Sequence, residues 1–177
     1  PIAADEAVES VAAARTLLRA EAADVLVVKP ARVGGPDAAA EIAALAAERG
    51  VPVVISTLFE TGVGIAAALA AAAALPGMTM PGRAEAPDHG LATAGLLDHD
   101  LLRASLVVAG GRMRAPGGAG TGALGIALDD RAVARFRSEA GADTTALVWS
   151  LDPHENDRGG APAGTEDLET IWGILAG

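Results

Sequence analysis

Two stretches of the chain, Val25-Leu26-Val27-Val28 and Val51-Pro52-Val53-Val54-Ile55, carry no polar side chain at all, and they end at Lys29 and at Ser56-Thr57. A strand with one wet face alternates apolar and polar residues. A strand without polar positions is buried on both faces, as in a parallel sheet covered by helices. Between the two stretches, Gly35-Pro36-Asp37 sets proline and an acid at a helix start, Ile42 and Leu45 form an apolar stripe, and Arg49-Gly50 supplies a closing cation and cap. The segment therefore reads strand, helix, strand.

The same grammar extends both ways. Glu6 to Ala20 places Val8, Val11 and Leu18 at helical spacing, and Gly62 to Leu75 is an alanine-rich helix stopped by Pro76-Gly77. A Pro/Gly-rich loop from Pro76 to Asp88 leads into a further short strand expected at His89 to Ala94. Asp5, Lys29 and Thr57 then close successive strands at spacings of 24 and 28 residues, an ordinary length for one repeat. Such a sheet is either doubly wound or a barrel. In a barrel, residues ending several strands converge on one mouth, which would gather these three side chains.

At 177 residues, 51% of them hydrophobic, the chain can bury a sizeable core. Its 23 acidic residues outnumber 13 basic ones for a net charge of -10, which argues against nucleic acid or an anionic membrane as the main partner. There is no cysteine, so disulfides, thiolate metal sites and a cysteine nucleophile are excluded. The first residues lack the charged start and long apolar run of a signal peptide, and Gly62 to Leu75 falls short of the roughly 18 residues of a membrane span. A cytoplasmic protein acting on small molecules is expected.

Twelve of the 13 basic residues are arginine, and the one lysine, Lys29, closes a buried strand. Arginine keeps its charge in almost any setting, whereas proton transfer and imine chemistry call for lysine. Lys29 is the candidate catalytic group. A carboxylate one strand away, Asp5, either offsets the cost of keeping that lysine charged or holds a divalent cation. The alternative is that Asp5 or Glu6 caps the helix beginning near Ala7, and for Glu6 capping is the preferred reading.

Beyond Asp100 the pattern changes to short strands and glycine. Leu106 to Ala109 and Ala123 to Leu128 read as strands flanking Arg112 to Gly122. The expected organisation is a half barrel over residues 1–99, a capping lobe over 100–138, and a flexible tail over 139–177 with a terminal helix from Glu166 to Leu175.

Pro1-Ile2-Ala3-Ala4-Asp5-Glu6, the run DVLVVKPARVGG from Asp24 to Gly35, and Ile55-Ser56-Thr57-Leu58-Phe59-Glu60-Thr61-Gly62-Val63-Gly64 together resemble the enolase superfamily on its muconate-lactonising side. His89-Gly90-Leu91-Ala92-Thr93-Ala94-Gly95-Leu96-Leu97 and Arg114 to Ile126 look most like o-succinylbenzoate synthases, which make a menaquinone precursor. The resemblance covers residues 1 to 137 and implies an α/β fold, the C-terminal half of an enolase-type (β/α)7β TIM-like barrel with a small C-terminal β-containing lobe. It further implies Mg2+ as cofactor, with Asp5 the last of three carboxylate ligands on successive strands. Lys29 is then a catalytic lysine of the following strand, and Ser56 and Thr57 are substrate-binding positions, with helix capping the equal alternative for either. The implied substrate is a small carboxylate, whose enolisation is followed by loss of water. Thr57 stands where mandelate-racemase relatives place a catalytic histidine, which disfavours a two-base racemase, and Glu60 is expected to brace its loop.

The capping domain, the first four strands, the Lys-x-Lys pair and the other two metal carboxylates of that family would precede Pro1, and a whole barrel takes about 250 residues. An N-terminally truncated product is therefore expected. Its open sheet edges call for homo-oligomerisation or a missing N-terminal half. Rival readings are a cycloisomerase or dipeptide epimerase of the same superfamily, a Schiff-base aldolase, and a non-catalytic assembly module. Gly120-x-Gly122-x-x-Gly125 leads into a strand pattern instead of a helix, so it is not read as a dinucleotide fingerprint. His89, His99 and His154 lack zinc-site spacing and read as surface or loop residues, and no Gly-x-Ser-x-Gly elbow is present.

Overall fold

Three parallel strands, β1 (Ala3–Ala4), β2 (Val25–Val28) and β3 (Val53–Ile55), lie side by side in the order of the chain. The structure is a computed structural model and describes residues 1–114 and 124–137. Helices α1 (Val11–Arg19), α2 (Pro30–Val33), α3 (Pro36–Ala47) and α4 (Gly62–Ala73) occupy the connections. The unit Pro1–Arg137 is compact, and the tail expected at 139–177, with its helix from Glu166 to Leu175, lies outside the described residues.

Each element begins where its sequence allows. Ser10 caps α1 by accepting a hydrogen bond from the Ala13 amide, so the helix starts at Val11 and not near Ala7. Neither Asp5 nor Glu6 is the cap. Pro30 opens α2 directly after Lys29, whose carbonyl accepts the first turn's bonds from the Arg32 and Val33 amides. Gly34 and Gly35, at φ of 104° and 109°, then turn the chain into α3.

From Leu26 in β2 and Val53 in β3 onward, burial alternates along the strands. Leu26, Val28, Val53 and Ile55 are buried against Leu18 of α1, Ile42 of α3 and Leu69 of α4. On the other face Val27, Lys29, Val54 and Ser56 are half-covered. Leu26 and Ile55 are fully buried, and each such side chain contributes about 1.5–3 kcal/mol by leaving water. One face of the sheet is core; the other is the site.

Some expected strands are absent or displaced. His89 to Ala94 does not form one: only Gly90 bridges, in parallel to Ser56, before the chain turns into a 3-10 segment at Ala94–Leu96. Pro87 lies upstream and cannot donate to a ladder, and the next link along β3 is made by a side chain, as described below. In the later segment, β4 (Val108–Ala109) pairs with β5 (Arg112–Met113) across Gly110-Gly111, both at positive φ, a two-residue hairpin that only such residues accommodate easily. The strand expected to end at Leu128 reduces to a single bridge from Leu128 to Leu102, and the short helix α5 (Asp130–Arg135) follows under an Asp129 cap. Of the rejected glycine fingerprint, Gly120 and Gly122 lie outside the described residues.

Candidate functional site

Sheet register determines which polar side chains meet. Ala4 pairs with Leu26 and Leu26 with Val53, so Asp5 is level with Val27, while Lys29 lies two residues further along and level with Ser56. Because side chains alternate, Asp5, Lys29 and Ser56 share the face away from the core. Two residues along a strand span about 7 Å, a distance the long lysine stem covers by leaning back toward β1. Lys29 Nζ lies 2.6 Å from Asp5 Oδ1 and 4.0 Å from the nearer oxygen of Glu6.

The lysine side chain is 12% exposed, against 37% for Asp5 and 79% for Glu6. Water therefore screens Glu6 far more than it screens the close pair. Asp5 Oδ1 is itself buried, and the ammonium meets it as a charge at close range without hydrogen-bond alignment. The backbone holds both groups: the Asp5 carbonyl accepts from the Val8 amide, and Lys29 is fixed between β2 and the first turn of α2.

Ser56 and Thr57 separate. Ser56 is half-buried on the lysine face, its hydroxyl 3.4 Å from the Gly90 carbonyl. Thr57 turns to the core side, is 7% exposed, and donates to the Gly90 carbonyl at 3.1 Å. Since that carbonyl can only accept, the single hydroxyl proton of Thr57 is committed there, and the contact to the Thr93 hydroxyl at 2.9 Å has Thr93 as donor. Glu60 accepts from the Leu58 amide at 3.0 Å and braces the loop after β3.

Two polar residues outside the expected set shape the same strand ends. His89 Nδ1 accepts from the Ile55 amide of β3 at 3.1 Å, so this histidine is a half-buried structural partner and not a surface residue. Burial pulls its ring below the ordinary value of 6.5, with Asp88 opposing. Asp100 Oδ1 accepts from the Gly62 and Leu101 amides, each at 2.7 Å, and so caps α4 from a distant part of the chain. Both contacts bridge more than 30 residues. Local periodicity cannot reveal them.

Magnesium asks for near-octahedral oxygen ligands. Asp5 offers one hard oxygen, but among the described residues no three His, Asp or Glu side chains cluster in a way that could hold a metal ion. These residues alone do not form a magnesium cage.

The family model for enolase C-terminal domain-like proteins matches residues 1–132. The chain belongs to that family. Its three parallel strands and their helices are the C-terminal part of an enolase-type α/β barrel. The enolase-type chain is 43% identical over 112 residues to an o-succinylbenzoate synthase of Mycobacterium tuberculosis (strain ATCC 25618 / H37Rv), covering 62% of this chain and 31% of that protein. It is 42% identical over 136 residues to one from Mycobacterium ulcerans (strain Agy99), covering 74% and 38%. Among solved structures, muconate cycloisomerase from Pseudomonas fluorescens superposes with a TM-score of 0.68 at 33% identity, over 78% of this chain and 36% of that one. The L-Ala-D/L-Glu epimerase from Bacillus subtilis does so at 0.60 and 30% identity, over 72% and 33%. The chain thus spans about a third of the length of these relatives. No helix among the described residues is long and apolar enough to cross a membrane.

Proposed function

We propose that the chain carries the strand-end lysine and one metal-ligating acid of an o-succinylbenzoate synthase-type lyase, a magnesium-dependent enzyme of menaquinone biosynthesis in the cytoplasm. The observation that carries this reading is the 2.6 Å approach of Lys29 to Asp5, at the ends of adjacent parallel strands and on the face turned from the core. In this reading Lys29 handles the proton next to a substrate carboxylate and faces the charge that develops as water leaves. Asp5 holds the ammonium in place and would be one of the cation's ligands, with further ligands needed beyond the described residues. A bound magnesium ion would supply positive charge beside the forming oxyanion. Ser56 contacts a substrate carboxylate, and Thr57 serves that contact from behind by fixing Gly90.

The lyase is preferred because the curated relatives bearing that name reach 42–43% identity. A muconate-type cycloisomerase is the second reading, favoured by the superposition at a TM-score of 0.68. The division into a barrel half (1–99) and a lobe (100–138) belongs to the same proposal, supported by β4 and β5 sharing no sheet with the parallel strands. So does pairing with further barrel strands or a second copy.

A chimera tests the reading. The matching residues of this chain replace the matched third of the Mycobacterium tuberculosis synthase, and formation of o-succinylbenzoate is followed. Product should form and stop on chelation, and Lys29→Ala should lower the rate by about 10²- to 10⁴-fold. A folded chimera without product, or full activity in Lys29→Ala, overturns the lyase reading, and the second result points to an assembly role. Borohydride trapping of a substrate on Lys29 would favour an aldolase instead.

A further inference from the structure

The outer edge of β3 is closed by one residue pair. Around Ser56 the ladder is regular: the Gly90 amide donates to the Ile55 carbonyl at 2.9 Å, and the Thr57 amide donates to the Gly90 carbonyl at 3.1 Å. If that strand ran on, the Ile55 amide would be the next donor and the carbonyl of Asp88 its acceptor. In its place stands the imidazole of His89, whose Nδ1 accepts from Ile55 at 3.1 Å. A side chain has replaced one rung of backbone. The acceptor role fixes the ring as neutral, with its proton on Nε2, since a protonated ring has only donors.

We propose that His89 is a positioning residue and a pH-sensitive latch: as a neutral ring it seals the edge of β3 and keeps the 89–93 segment on Ser56 and Thr57, and protonation releases it. The released segment carries three of the site's supports, the Gly90 carbonyl bonded to both hydroxyls, the Gly90 amide, and the Thr93 hydroxyl bonded to Thr57. Gly90 lies so close to Ser56 that a Cβ there would meet the serine hydroxyl, so any slip of the segment moves Ser56.

Little around the ring would stabilise its charge. It borders a small hollow of about 140 Å³ with Ala43 of α3, Val53 of β3, Ala72 of α4, and Leu75 and Met78 of the adjoining loop, and no lining residue besides the ring itself is ionisable. Asp88, next in sequence, is the one charged group acting on it among the described residues and favours the proton, but burial outweighs it. The unfolded chain consequently binds the proton first, near pH 6.5. The latch's stabilisation is complete above that pH and is lost as pH falls through the lower value of the folded ring.

Amide hydrogen exchange on the whole chain, corrected for intrinsic rates, reads the latch without any activity. Between pH 8 and pH 5, protection of the Ile55 and Thr57 amides should fall by at least about tenfold, the scale of leaving a buried donor unpaired. His89→Asn keeps an acceptor at the same branch point and does not titrate, so its protection should stay level over that range. His89→Leu should lack the protection at both pH values. Should His89→Leu fail to fold by circular dichroism, the wild type and His89→Asn still decide. Wild-type protection unchanged with pH, or a fall of equal size in His89→Asn, overturns the proposal. That the released hydroxyls belong to a catalytic rim rests on the lyase reading; a silent chimera sinks that reading alone, and flat exchange sinks the latch alone.

Discussion

Gly62 shows how one missing atom fixes the geometry around α4. A Cβ at this position would collide with Leu102 and with the Asp100 carboxylate that caps the helix. Gly62→Ala should therefore destabilise the chain by about 1–3 kcal/mol through overpacking, although alanine is the better helix former. A lower urea midpoint with an unchanged slope is the expected readout. The sequence marks Gly62 only as the start of an alanine-rich helix, because the residues it must avoid lie about 40 positions downstream. Lys29 and Asp5 are different. Each ends a strand whose apolar run is visible, and the sheet register does the rest. Ser56 and Thr57 were legible as a strand end but not as a divided pair. Alternation sends adjacent residues to opposite faces, so only one of them shares the lysine's side, and which one depends on where β3 enters the sheet.

At the level of elements, apolar runs and marked ends were readable, and partnerships between distant segments were not. α3 begins at Pro36, as Gly35-Pro36-Asp37 implies, and β2 and β3 fall inside the two apolar stretches. α1 starts later than its apolar spacing implies, because Val8, at helical spacing, is buried in the turn before the cap. That cap can be tested: Ser10→Ala removes the acceptor of the Ala13 amide and should cost about 0.5–2 kcal/mol, seen as a lower thermal midpoint. The signal for β5 is the Gly110-Gly111 pair flanked by Ala109 and Arg112, since two glycines at hairpin spacing outrank a longer run of weak strand formers. At His89 no local signal existed, because its acceptor serves a strand 34 residues away.

For the whole molecule, the decisive asymmetry is between the two faces of the parallel sheet. One packs Leu26, Val28 and Ile55 against α1, α3 and α4 in a single core. Leu26→Ala would open a cavity shared by all these elements and should cost about 2–5 kcal/mol, measured as a fall in the urea midpoint. The opposite face carries the charged pair and stays half-covered. Barrel closure could be read from the sequence only as the convergence of strand ends, since nothing local to a strand states how many neighbours it will have.

The two flanks of the sheet also differ. His89 and Gly90 seal the β3 side, while β1 presents its outer rim with no strand against it among the described residues. A closed barrel leaves no rim free, so an uncovered β1 flank would offer its row of backbone donors and acceptors to whatever strand comes to lie against it.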